Sequence, residues 1–248
     1  MAQRQYQHIA ARLKQELTDQ TLAVGTRLPT ERDYAQRFEV SRTVVREAFI
    51  MLEIEGWVEV RKGSGTYLLE RPARSPADGD EEIGPFELLD ARQVVESAIA
   101  AHAAQRVSKA ELLALSSLLE RERELLAREE AGQRDFEAAD STDQAFHLGI
   151  ARASQNAMLV EIAQRLWEQR RSTMWRRLHG RILDFSYRGE WLEHHQRILA
   201  MLRKRDEEGA RDAMWNHIER VKEVLFALSD TDDPEFDGFL FDTPTAAH

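Results

Sequence analysis

The sequence predicts a mainly α protein in which a small N-terminal domain of three helices and a β-hairpin precedes an antiparallel all-α helical bundle. Residues 1–70 mix helical and strand periodicity, and residues 85–229 carry helical periodicity with almost no strand signal. Residues 71–84 between them are rich in Pro, Gly, Ala, Ser and Asp, which predicts a linker. Residues 230–248 are acidic and predict a loosely packed tail.

The composition limits the possible classes of protein. The chain has 248 residues, of which 42% are apolar and 31% charged, as in ordinary globular domains. It has no cysteine, so any metal must be bound by histidine and carboxylate side chains. No stretch approaches the roughly 20 apolar residues that span a bilayer, and the N-terminus lacks a signal-peptide core. We therefore expect a cytoplasmic protein without a membrane partner.

The net charge of -10 is unevenly distributed along the chain. Residues 1–75 have a balance of +2, whereas residues 76–248 have a balance of -12. Local charge, and not the charge of the whole chain, governs the encounter with a charged partner. The acidic total therefore does not exclude DNA as a partner of the N-terminal domain.

Three helices are predicted in the N-terminal domain. The first covers Tyr6–Asp19, where apolar residues recur at helical spacing. Thr30 is the N-cap candidate of the second, Glu31–Phe38, and Ser41 is that of the third. Gly56 ends the third helix, and the β-hairpin that follows completes a winged helix-turn-helix arrangement.

The two faces of the third helix differ in character. Val45, Ala48, Phe49 and Leu52 form an apolar face, and Arg42, Thr43 and Arg46 are expected on the opposite, outward face. Such a helix fits the major groove, where arginine can bind guanine or phosphate. Each feature alone is better explained by a solvated helix face or a plain hairpin turn, but their ordered combination favours DNA binding.

Four segments carry a family resemblance: LPTERDYA, VSRTVVREA, LEIEGWVEV and RKGSG. They resemble the DNA-binding domain of the GntR superfamily of bacterial transcription regulators, over about residues 6–70. Val44 stands where many members have proline, which is permissive and not required there. The resemblance implies double-stranded operator DNA as partner, with contacts from Arg32, Ser41, Arg42, Thr43, Arg46 and Gly63.

The C-terminal region is predicted as a bundle of helices. One start is well marked, because Ser108 and Glu111 fit a capping box. The predicted helices cover Pro85–Val107, Lys109–Ala131, Gln133–Ala153, Asn156–Gly180, Glu190–Arg205 and Glu207–Ser229.

Histidine and aspartate at helical spacing suggest a metal site in this bundle. Asp143 and His147 are four residues apart and share one helix face, and His195 and His217 each lie on an apolar stripe. Three imidazoles and a carboxylate that converge would fit a divalent cation. A histidine on an apolar face is, taken singly, better explained as a core residue bonded to a carbonyl, and His194 competes with His195.

A second resemblance covers roughly residues 85–229. The segments DQAFH, IARASQN, HQRIL and AMWNH resemble the FCD-type effector-binding domain of the FadR subfamily, in its metal-binding branch. The resemblance implies that a metal ion, with zinc as first choice and nickel or manganese as alternatives, and a small carboxylate effector bind together. It implies the ligands Asp143, His147, His195 and His217, with His195 preferred because the H-x-x-I-L pattern starts there.

Three residues are candidates for effector binding: Arg92, Asn156 and Arg170. Arg92 could clamp a carboxylate, although a salt bridge with Glu96 explains the pair equally well. Arg170 belongs to a basic run that could instead be a solvated surface. The segments GPFELLDARQVVES and Trp175 with Arg176, together with the acidic tail, resemble regulators of hexuronate (glucuronate and galacturonate) catabolism, which implies a sugar-acid effector.

These patterns predict a ligand-responsive, sequence-specific transcription regulator, expected to be a repressor that binds a pseudo-palindromic operator as a homodimer. The alternative is a metal-dependent hydrolase or isomerase with an accessory DNA-binding module. Against an enzyme, the sequence has no separate acid or base at motif spacing and no phosphate-cradling loop. In a third interpretation, the bundle only dimerises and its histidines are packing residues.

Overall fold

The computed structural model describes residues 4–19, 22–61, 65–69, 83–133, 135–172, 175 and 187–228. These residues form two compact units. The first contains the chain up to Phe86, with Ser172, Trp175 and the residues from Leu225 onward, and the second contains the others. Most described residues are helical, which confirms the predicted mainly α class.

The first unit has three helices and a two-stranded antiparallel sheet, as predicted. Val58 pairs with Leu68 in the sheet. The elements are α1 (Gln5–Asp19), α2 (Glu31–Phe38), α3 (Arg42–Ile54), β1 (Val58–Arg61) and β2 (Gly65–Leu68). The predicted turn residues between the strands, Gly63 among them, lie outside the described residues.

Local hydrogen bonds mark the start of α2 and the turn between α2 and α3. Thr30 caps the N-terminus of α2 in a capping box, in which its hydroxyl accepts from the Asp33 backbone N–H and the Asp33 carboxylate accepts from the Thr30 N–H. Glu39 ends α2 in the left-handed region at φ 57°. Ser41 then caps α3 by accepting from the Val44 N–H at 3.3 Å. The caps thus hold a short connection that presents the start of α3.

One apolar core supports α3. The stripe predicted on α1, the apolar face of α3 and the sheet all contribute to it, and α1 packs against α3. Its members include Ile9, Leu13, Leu17, Val45, Ala48, Phe49, Leu52, Val58 and Leu68. The face of α3 predicted to anchor the helix is therefore buried.

The helical bundle begins with α4 (Pro85–Arg106), whose first two residues belong to the first unit. The further elements are α5 (Lys109–Glu130), α6 (Phe136–Ala153), α7 (Ala157–Glu168), a 3-10 turn (Gln169–Arg171), α8 (Arg188–Lys204) and α9 (Glu207–Leu228). The capping box of Ser108 and Glu111 is confirmed, with both reciprocal hydrogen bonds present. Helix α5 packs against α6 and α8, and α6 packs against α7.

One predicted helix is shorter than expected. The pattern from Asn156 to Gly180 predicted a single helix, but α7 ends at Glu168 and continues as a 3-10 turn to Arg171. The remainder of the predicted span falls largely outside the described residues, as do residues 71–82 of the predicted linker and the tail at residues 230–248. The domain boundaries therefore stay predictions. None of the described helices is long and apolar enough to cross a membrane.

Candidate functional site

The N-terminal end of α3 presents polar side chains. Ser41 is exposed, and Arg42 and Thr43 are half-buried. Arg32, in the first turn of α2, is exposed. These four predicted DNA contacts therefore lie at the helix-turn-helix, whereas Gly63 falls outside the described part of the chain.

The side chain of Arg46 is buried, although the sequence pattern predicts it on the outward face of α3. It is only 1% exposed, and its Nε and Nη2 donate to one carboxylate oxygen of Glu31 at 2.7 and 2.5 Å. Its Nη1 donates to the backbone carbonyl of Phe226, in the same compact unit, at 2.5 Å. The expectation that Arg46 faces outward is thus corrected, because Glu31 supplies a buried counter-charge that helical periodicity does not reveal.

The second unit brings Asp143 and His147 of α6 together with His195 of α8 and His217 of α9. Each offers one ligand atom, and the four atoms lie within 4.8 Å of one another. The Nε2 atoms of His195 and His217 are 3.3 Å apart. The Asp143 Oδ1 lies 3.5 Å from His147 Nε2 and 3.6 Å from His195 Nε2.

Burial and hydrogen bonding at this cluster fit a cation. The three histidines are at most 3% exposed. Within the described residues, His147 Nε2 and His217 Nδ1 are buried without a hydrogen-bond partner. Buried polar atoms without partners are costly, and three nitrogens with one carboxylate oxygen are a donor set for a divalent transition metal. The cluster contains His195 and not the half-buried His194.

The carboxylates of two glutamates contact the Nδ1 atoms of two of the imidazole rings, on the side of each ring that faces away from the cluster. Glu96 of α4 lies with Oε2 2.5 Å from His147 Nδ1, and Glu122 of α5 lies with Oε2 2.9 Å from His195 Nδ1. A carboxylate only accepts, so each Nδ1 carries a proton, and in the neutral form of each ring Nε2 keeps its lone pair for the cluster. Sequence reasoning named Glu96 only as a partner of Arg92 and missed Glu122, which sits in a charged run typical of a solvated face.

The pKa values follow from this environment. Burial raises the pKa of Glu96, but Arg92 and His147 outweigh it and bring that pKa to about 2. Burial likewise lowers the pKa of His147, yet the carboxylates of Glu96 and Asp143 raise it above its ordinary value. Burial, then the neighbouring His195 and His147, hold the pKa of His217 well below normal. His217 is therefore neutral at physiological pH, as a metal ligand must be.

Two buried arginines approach the cluster. The Arg92 Nε donates to Glu96 Oε1 at 2.6 Å, so the predicted salt bridge is present. Arg170 donates to Asp143 at 3.1 Å and to Asp140 at 2.6 Å, which places it beside the cluster and not on a solvated surface. Both guanidiniums stack on Trp167, whose ring centroid is 5.1 Å from that of His147.

Asn156 has a structural role that the sequence analysis did not assign to it. It is exposed, and its Oδ1 accepts from the backbone N–H groups of Met158 and Leu159 at 3.0 and 3.3 Å. Its side-chain oxygen therefore caps α7, and the helix cap accounts for this asparagine without an effector.

Comparison with known proteins adds two family matches and several close relatives. Residues 5–68 match the family described as bacterial regulatory proteins, gntR family, and residues 87–220 match the FCD domain. The Uxu operon regulator of Haemophilus influenzae is 46% identical over 97% of this chain and 89% of its own length. In Escherichia coli K12, the Uxu operon transcriptional regulator is 43% identical, covering 98% of this chain and 95% of its own. The Exu regulon transcriptional regulator of the same organism is 42% identical, over 99% and 94%.

Proposed function

Because the chain belongs to the gntR family of bacterial regulatory proteins and carries an FCD domain, we propose that it controls genes of hexuronate catabolism through a metal-containing sensor site. The chain is a ligand-responsive, DNA-binding transcription regulator and not an enzyme. The buried cluster of Asp143 with three histidines, beside two arginines, is the observation that carries the sensor part of the proposal.

Operator DNA is the partner of the first unit, and we assign α3 to the major groove. Ser41, Arg42 and Thr43 at its N-terminal turn would bind phosphates and base edges, and Arg32 would bind a flanking phosphate. Arg46 contributes to this surface through its buried pair with Glu31, which ties α3 to α2. A regulator that binds operator DNA would act in the cytoplasm.

Asp143, His147, His195 and His217 would hold a divalent ion, with zinc as first choice and nickel or manganese as alternatives. Three imidazole nitrogens and one carboxylate oxygen suit each of these metals. When bound, the ion would supply a Lewis-acidic site for a carboxylate oxygen of the effector. The histidines would bind the ion through Nε2. Glu96 and Glu122 orient the imidazole rings of His147 and His195, respectively, through hydrogen bonds to Nδ1.

We propose a sugar acid as the effector of this site. Its carboxylate would meet the metal and a guanidinium, and Arg92 and Arg170 are the buried guanidiniums beside the cluster. Relatives named as Uxu and Exu regulators support a hexuronate, glucuronate or galacturonate, as the acid. Asn156 stays the third effector-binding candidate, although its side-chain oxygen caps α7.

We further propose a homodimer that uses the exposed apolar side of α7. Met158 is 61% and Ile162 is 38% exposed, whereas the buried residues of this helix are Ala163 and Trp167. A helix with an exposed apolar stripe is typical of an interface. A second copy of the chain is the occupant, because a two-fold dimer presents two α3 helices to two half-sites.

The effector relieves repression if it binds more tightly to the form of the regulator that is released from DNA. A difference of about 1.4 kcal/mol suffices for a tenfold loss of operator affinity. The test is operator binding by fluorescence anisotropy while galacturonate or glucuronate is titrated into zinc-loaded protein. Release by a uronate, but not by glucose at equal concentration, is expected. A uronate response that persists after metal removal would contradict the metal part, and no response to either acid would contradict the effector.

A further inference from the structure

We infer that Glu96 is a positioning residue that links the effector-binding Arg92 to the metal ligand His147; the inference rests on the proposed function. Glu96 is 3% exposed and engages each of its oxygens with a different partner. Oε1 accepts from Arg92 Nε at 2.6 Å, and Oε2 accepts from His147 Nδ1 at 2.5 Å. One carboxylate therefore fixes both an anion-binding side chain and a metal-binding ring.

The three histidines differ in how their outer nitrogen is held. Glu122 directs both of its oxygens to one atom, His195 Nδ1, at 2.9 and 3.1 Å. Glu96 divides its two oxygens between His147 and Arg92. His217 Nδ1, in contrast, has no hydrogen-bond partner within the described part of the chain. Of these three rings, and within the residues that the structure describes, only His147 is thus coupled through Nδ1 to a second candidate functional residue.

This difference predicts unequal effects of glutamine at the two glutamate positions. A glutamine side chain has one acceptor oxygen, and its amide nitrogen donates. At position 122 the oxygen can still face His195 Nδ1. At position 96 the two partners, Arg92 Nε and His147 Nδ1, are both donors. In either orientation of the glutamine amide, its nitrogen therefore faces one of these donors and the hydrogen bond to that partner is lost. If the amide nitrogen faces His147, Nδ1 must accept, the proton moves to Nε2, and the metal-binding lone pair is lost.

The link also makes a prediction about Arg92, which lies in contact with Glu96 but is not a metal ligand. Removal of a nearby positive charge strengthens cation binding by Coulomb's law. Loss of a residue that holds Glu96 in place weakens cation binding instead, because the His147 ring is less well oriented. The two roles of Arg92 therefore give effects of opposite sign.

The experiment measures zinc affinity of the full chain by competition with a chromophoric chelator, and the visible spectrum of the cobalt-loaded protein. Glu96→Gln should weaken zinc binding by roughly 10- to 100-fold, and Glu122→Gln by only a few-fold. Glu120→Gln, on the exposed side of α5, is the matched control and should leave it unchanged. Circular dichroism of the metal-free proteins checks that each variant is folded.

Arg92→Gln is the second variant, and it decides the question if Glu96→Gln does not fold. Weaker zinc binding by Arg92→Gln supports the link, and tighter binding overturns it. The link is also overturned if Glu96→Gln and Glu122→Gln bind zinc equally well, or if the zinc affinity of Glu96→Gln is within twofold of wild type. In both cases the proposed metal site itself still stands. A wild-type protein that binds no zinc, cobalt, nickel or manganese overturns both.

Discussion

Arg46 of α3 and Glu31 of α2 form an ion pair in which both side chains are buried, with the guanidinium nitrogens 2.7 and 2.5 Å from one carboxylate oxygen. The pair joins the two helices of the helix-turn-helix across 15 positions of the chain. Through it, Arg46 sets the orientation of the helix assigned to the major groove.

Arg46→Met should destabilise the protein, because the buried Glu31 carboxylate would lose the guanidinium of Arg46 as a counter-charge. Breaking a buried pair from one side costs about 3–5 kcal/mol. The double variant Glu31→Gln with Arg46→Met should recover much of the loss, since the side chain at position 31 is then neutral. Urea unfolding followed by circular dichroism measures both. A single variant as stable as wild type would show that the pair does not stabilise the domain.

Arg32→Ala should affect DNA binding and not stability. Its side chain is exposed, so the free energy of unfolding should change by less than about 0.5 kcal/mol. If Arg32 binds phosphate, the slope of log affinity against log salt should fall by about one for operator and random duplex alike. Gln36→Ala, on the same helix and also exposed, is the uncharged control. An unchanged salt slope would remove Arg32 from the interface.

Zinc should stabilise the wild-type protein much more than the Asp143→Asn variant. A ligand at a hundred times its dissociation constant raises the free energy of unfolding by about 2.7 kcal/mol. Thermal unfolding with and without excess zinc measures this difference. Asp212→Asn, an exposed carboxylate on α9, should behave like wild type. Equal stabilisation of all three proteins would place the metal outside the cluster.

Metal uptake should release protons near neutral pH. The carboxylates of Glu96 and Asp143 raise the pKa of His147 in the metal-free protein despite its burial, so this ring is protonated at about pH 6.5. Only the neutral ring binds metal, and apparent affinity should therefore rise with pH up to the pKa of His147 and level off above it. Calorimetry in two buffers of different ionisation enthalpy counts the protons. No release at about pH 6.5 would argue against His147 as a ligand.

Ile162→Asp should weaken self-association by placing a charge in the proposed interface. Sedimentation velocity at several protein concentrations measures the monomer fraction, which should rise for this variant. Leu113→Asp is the matched control, because Leu113 is 61% exposed on α5, outside the proposed surface. If Leu113→Asp dissociates the dimer and Ile162→Asp does not, the interface lies on a different helix.

Residues close in the chain were predictable because their interactions are local. Thr30, Ser41 and Ser108 were expected to cap helices, and each does, since a cap joins groups within three residues. Asp143 and His147 share a face through helical spacing alone, although their meeting with two distant histidines was implied by family resemblance and not by spacing.

The sequence by itself therefore determined the mainly α class, the helix starts and the candidate metal ligands. Only the tertiary structure decided that Glu122 holds His195, 73 positions away, and that Arg170 meets Asp143. The burial of Arg46, too, was decided only by the tertiary structure. Periodicity records which side chains share a face, but the buried guanidiniums of Arg46 and Arg170 depend on counter-charges from other elements, Glu31 of α2 and Asp143 of α6, which only packing brings to them.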